Sequence, residues 1–88
     1  MGRKAREIAD IDLKDLIKDL NKAYCDEWLA FYAYWYMAKT VEGKGYEDME
    51  EFLSKVAKDE LEHAGELAER IVELGGLPEN NISNLEKN

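Results

Sequence analysis

Cross-links are the first thing this chain lacks. Its 88 residues contain one cysteine, Cys25, so no disulfide can form within it. Basic charge is also scarce: 12 Lys and Arg stand against 20 Asp and Glu, a formal charge of −8. That balance argues against nucleic acid or an anionic membrane surface as the main partner and suits the attraction of cations. No uncharged apolar stretch reaches the about 18 residues a membrane span needs, and residues 1–12 hold no apolar signal-peptide core. The chain is therefore read as neither membrane-spanning nor secreted, with a cytoplasmic location by default. What it does have is 45% hydrophobic residues, enough for one small folded domain. A chain this short buries only about 60–65% of its unfolded surface and needs a cross-link, a metal or a partner chain to stay folded. With cross-links excluded, a metal or a partner remains.

Punctuation is sparse and informative. Gly43 and Gly45 interrupt the chain once, and Gly75, Gly76 and the lone proline, Pro78, interrupt it again. From about residue 12 to 42, Leu13, Ile17, Leu20, Tyr24, Phe31, Tyr34, Ala38 and Val41 recur at spacings of four and three, the stripe of a bundle helix. Asp12 is its expected N-cap, with Asp15 completing a weak capping box. From about residue 46 to 74 the same spacing selects Met49, Leu53, Val56, Leu67 and Leu74. Glu47, Asp48, Glu50 and Glu51 crowd its start, which suits the positive end of the helix dipole. Gly75 at the C′ position followed by Pro78 predicts its stop. Residues 1–11 and 79–88 carry no sustained period and are expected to form an arm and a tail around a helical hairpin of residues 12–78. Two helices of that size, each over about 40 Å long, share one seam. Trp28, Phe31, Tyr32, Trp35, Tyr36 and Met37 cannot all face it, so further apolar surface needs cover.

The residues that break the stripes carry the chemistry. Glu27 occupies the position between Tyr24 and Phe31, while Glu60 and His63 occupy two positions between Val56 and Leu67, three residues apart and on one face. A carboxylate buried without a partner costs several kcal/mol. Glu27 lies about as far before the turn as Glu60 lies after it, so an antiparallel hairpin brings all three groups to one level. A divalent cation would neutralise them together. Carboxylate oxygens with one imidazole nitrogen suit iron or manganese, with zinc also open. One Glu and one Glu-x-x-His supply too few ligands for a two-metal centre; a second copy about a two-fold axis doubles them into the inventory of a di-iron carboxylate bundle.

In these residues the chain resembles the ferritin-like superfamily that includes bacterioferritin and rubrerythrin. The likeness runs over about residues 13–78 and rests on Glu27 within Asp26-Glu27-Trp28, on Tyr34 seven residues later, and on Glu60-Leu61-Glu62-His63. It implies Glu27 as a terminal metal ligand, Glu60 as a bridging carboxylate, His63 as a terminal imidazole ligand, and Tyr34 as a phenol near the metals with a part in catalysis. Full-length members carry a second Glu and a second Glu-x-x-His after the position of Pro78, and this chain carries neither. The expected fold is thus all-α: an antiparallel two-helix hairpin that pairs with a second copy, or with a missing second half, to form a four-helix bundle.

The implied activity is oxidation of Fe(II) by O2 or H2O2 at a di-iron site shared between two chains, for iron storage or detoxification, within a homodimer, higher homo-oligomer or larger shell. A non-catalytic helical module, metal-free or stapled by zinc, is the alternative from another class. A rubrerythrin-like peroxidase would need a separate electron donor, since Cys25 alone cannot build a rubredoxin iron site. Away from the site, Tyr32, Trp35 and Tyr36 are expected at a dimer interface, Arg70, at a stripe position, in a pair with a carboxylate such as Glu66 or one across the interface, Asp59 and Glu62 in solvent, and Cys25 in packing or on the surface.

Overall fold

A computed structural model describes residues 3–87, with side-chain environments from residue 12 onward. Two long helices, α1 (Arg3–Thr40) and α2 (Tyr46–Glu73), run antiparallel, and a 3₁₀ helix follows at Ile82–Lys87. No strand occurs among the described residues. The fold is the expected all-α hairpin.

Local chemistry sets the ends of α2. Its C-terminus closes as a Schellman motif: the Gly76 amide donates to the Ile71 carbonyl at 2.9 Å and the Gly75 amide to the Val72 carbonyl at 3.0 Å. Gly75 sits at φ +90°, where a side chain would be strained. Gly76 passes so close to α1 that a Cβ would lie 2.7 Å from Ile17 Cγ2. This pair therefore stops α2 and turns the chain onto α1.

The start of α1 departs from expectation. The helix begins at Arg3, so Asp12 lies inside it and caps nothing. Residues 3–11 lack an apolar period but also lack glycine and proline, and Ala, Arg, Lys and Glu there are strong helix formers. Propensity extends the helix where periodicity is silent. Since α2 ends opposite Ile17, about 20 Å of α1 runs past the hairpin.

Alanine fills much of the seam, with Leu53 and Ile71 toward its ends. Ala38 of α1 and Leu53, Ala57, Ala64 and Ile71 of α2 are buried. On α2 the steps of seven through Ala57, Ala64 and Ile71 differ from the expected stripe, which placed Val56, His63 and Arg70 in those layers. Alanines win because they let the backbones approach, and the larger neighbours are displaced by one position to the flank. Val56 is half-buried, while His63 and Arg70 are exposed. Arg70 pairs with Glu73 at 3.2 Å and not with Glu66.

The C-terminal segment docks on α1. Asn21 Nδ2 donates to the Leu77 carbonyl at 2.9 Å, and the Glu79 amide donates to Asn21 Oδ1 at 2.9 Å. One side-chain amide thus pairs with a backbone donor and acceptor as a strand neighbour would. Beneath it Cys25 is fully buried, the packing role of its two readings. Burial first, then the Glu79 and Asp26 carboxylates, push its thiol pKa up, which makes it a poor nucleophile. Asn21→Ala is expected to release this segment alone. The two lost hydrogen bonds correspond to roughly tenfold to hundredfold faster amide exchange at residue 79. Exchange in the middle of α2 should stay unchanged.

The hairpin is unusually extended for its mass. Its radius of gyration is 17.6 Å, against about 12 Å for a compact chain of this length. It exposes 7052 Å², about 1,700 Å² more than a compact 10.2 kDa protein does. That excess is of the size a subunit buries in an obligate interface.

Candidate metal centre

Glu27 projects from the middle of α1, and Glu60 and His63 project from successive turns of α2. The hairpin brings them together as the spacing predicts. His63 Nδ1 lies 3.5 Å from Glu27 Oε2 and 3.8 Å from Glu60 Oε1. One ligand atom from each residue falls within 4.8 Å of the others, the one such group of three or more Asp, Glu, His or Cys residues among those described.

Burial grades across the cluster. The Glu60 and Glu27 side chains are 22% and 28% exposed, whereas His63 is 54% exposed on the open side of the hairpin. This grading follows from the seam register: Glu60 shares the buried stripe with Leu53 and Leu67, while His63 sits beside Ala64 on its flank. The imidazole is therefore a residue of the uncovered face, not of the core.

The electrostatics are those of an uncompensated site. Glu27 Oε2 is buried and has no hydrogen-bond partner. Two ionised carboxylates have no proton to share, so Glu60 beside it offers repulsion and no donor. The Glu27 pKa is accordingly raised: first by the hydrogen bond with Glu60 that its protonated form gains, then by burial and by the Glu60 charge, with His63 pulling the other way. An orphaned carboxylate oxygen facing a second carboxylate and an imidazole nitrogen fits a divalent cation, and the mixed oxygen and nitrogen set fits iron or manganese, or zinc.

Tyr34 stands two turns beyond Glu27 on α1, about 10 Å along the axis, and is half-buried. Asp59 and Glu62 are exposed, as expected. Asn21, which the sequence reading passed over, positions the C-terminal segment from a polar slot beside Tyr24. Only its hydrogen bonds to residues more than fifty positions away reveal it.

A helical hairpin that holds Glu on one helix and Glu-x-x-His on the next carries half the ligand inventory of a di-iron carboxylate four-helix bundle. The chain belongs to the ferritin-like domain family, which matches residues 17–88. It is also similar to a protein of Methanocaldococcus jannaschii named "Putative rubrerythrin", with 41% identity over 64 residues. That match covers 73% of this chain and 31% of the relative, so the chain spans about a third of the length of the curated relative it matches. No solved structure matches it. Among the described residues no helix is long and apolar enough to cross a membrane.

Proposed function

We propose that this chain is a di-iron carboxylate protein that oxidises Fe(II) with O2 or H2O2 for iron storage or detoxification. The observation that carries the reading is the orphaned Glu27 oxygen within reach of Glu60 and His63. Membership of the ferritin-like family and the likeness to a protein named as a rubrerythrin support it. Iron is the substrate and supplies the redox chemistry; the chain supplies ligands, charge balance and geometry.

In this reading Glu27 turns its buried oxygen to the metal, and because its pKa is raised, protons compete with Fe(II) for it as pH falls. Glu60, held by the seam, is the bridging carboxylate. His63 closes the open side with its Nδ1 lone pair. Tyr34 takes part in electron or proton transfer from its place two turns away. Three donors leave the coordination incomplete, and an equivalent set from a second hairpin completes it. The 1,700 Å² or so of excess surface supports such a pairing, in a homodimer or a larger assembly. Tyr32, Trp35 and Tyr36, exposed and stacked on α1, give a second apolar surface for further contacts between copies.

Anaerobic loading with Fe(II), followed by native mass measurement and admission of oxygen, tests the reading. The expected result is one iron per chain in an even-numbered oligomer, with oxygen uptake in proportion to iron. A metal-free monomer without oxygen uptake, and with melting unaffected by a chelator, would instead identify the non-catalytic helical module.

A further inference from the structure

We propose that the groove between α1 and the C-terminal 3₁₀ helix is a binding site for an organic cation with an alkylated ammonium head. The groove encloses about 830 Å³ and is lined by Tyr24, Trp28, Phe31 and Tyr32 of α1, with Glu79 and Glu86 on the opposite side. That volume lies within the range of small-molecule sites, about 300–1,000 Å³. The groove shares no residue with the Glu27, Glu60 and His63 cluster, although Tyr24, Trp28 and Phe31 flank Glu27 on α1, and it does not depend on the reading given for that cluster.

The rings along α1 pack edge to face. Tyr24 and Trp28 meet edge to face with centroids 6.4 Å apart at 79°, and Trp28 and Phe31 meet at 5.6 Å and 85°. Tyr24 and Phe31 thus each stand nearly perpendicular to Trp28, so the aromatic lining is not a single flat stack. Aromatic faces attract cations through their quadrupole, and most strongly when the cation is weakly hydrated, as alkylated ammonium is.

Charge selects the same class. No Lys, Arg or His lines the groove, and its ionisable groups are two carboxylates and two phenols. Glu79 is held in place, because its amide donates to Asn21 Oδ1 and its Oε1 accepts from Asn84 Nδ2 at 2.7 Å. An anion finds no donor of positive charge here. A bare metal ion finds mostly hydrocarbon. A neutral apolar guest gains nothing from the carboxylates. An alkylated ammonium uses both the rings and the charges.

The probe is choline, titrated into the full 88-residue chain and followed by amide and indole NMR shifts, with its uncharged isostere, in which a quaternary carbon replaces the nitrogen, as control. Saturable shifts at Trp28, Tyr32 and Ile82 are expected, with choline at least about fivefold tighter than the isostere. Trp28→Leu should weaken choline about threefold to thirtyfold. Tyr32→Leu removes a second ring from the lining, at a position that is 62% exposed. Glu79→Gln with Glu86→Gln should weaken choline and leave the isostere unchanged. Any of three results would overturn the proposal: equal binding of choline and isostere, binding insensitive to both ring variants, or shifts that follow protein concentration and not choline. The last would show the groove to be a contact between copies.

Discussion

Replacing Glu60 by alanine is expected to lower the rate of Fe(II)-dependent oxygen consumption by at least about 100-fold while leaving the helical hairpin folded. Loss of a residue that merely supports a metal ligand costs about 10- to 100-fold in metal affinity or activity, so loss of a ligand sets at least the upper figure. Alanine is the best helix former and already fills this seam at Ala57 and Ala64, so α2 has no local reason to break. The substitution also relieves Glu27 of the neighbour that raises its pKa most. Circular dichroism should therefore show unchanged helix and a melting temperature at or above that of the parent. Glu62→Ala, which removes the same charge two residues along but on an exposed face of α2, is the control and should retain full activity. Parental oxygen uptake in Glu60→Ala would remove the metal assignment; a loss shared by Glu62→Ala would reassign it to general acidity of the helix.

Much of this arrangement was legible because glutamate in an apolar stripe is costly. Glu27 and Glu60 broke otherwise regular patterns at equal distances from a glycine turn, and two such breaks meeting at one level have few benign explanations. Gly75 and Gly76 were readable for a similar reason: a left-handed residue followed by a close approach leaves little choice of amino acid. Errors arose where energy is not written as hydrophobicity. Ala57 and Ala64 define the seam through size, and a pattern that looks for large apolar residues chooses Val56 and shifts His63 and Arg70 inward. That single-residue shift decides which way the imidazole faces. The start of α1 depends on propensity without periodicity, and the docking of the C-terminal segment depends on Asn21 meeting Leu77 and Glu79, a pairing with no local signature. Tyr24 and Phe31, read as seam residues, line the groove beneath that segment.

The uncovered face and the metal cluster are consequences of one another. In the proposed reading, a hairpin that buried His63 would close the side from which a second set of ligands is to come. A seam rich in alanine keeps the helices close and leaves larger groups, Val56, His63 and the rings of α1, at its flank or in the open. Cation binding then has a thermodynamic signature that differs between the free and the loaded chain.

Glu27→Gln brings out that difference. In the free chain the raised Glu27 pKa means that the folded state holds a proton more tightly than the unfolded one. Between the ordinary glutamate range and the raised value the folded chain binds more protons, so stability falls as pH rises through that window and stays at the lower level above it. Metal reverses the slope, because the ligand must be deprotonated, and the increment that metal adds grows with pH across the same window. Glutamine is neutral throughout and its amide can donate to Glu60, which supplies the partner that Glu27 Oε2 lacks. Relief worth about 1 kcal/mol corresponds to a rise of about 4–8 °C in the metal-free melting temperature near pH 7. The mildly acidic slope should flatten, and the increment on adding Fe(II) under anaerobic conditions should disappear. A variant that melts below the parent, or that keeps the parental increment with Fe(II), would place the cation elsewhere. A residue whose removal stabilises the free chain and abolishes its response to metal is one whose cost to the fold is explained by the ion it holds.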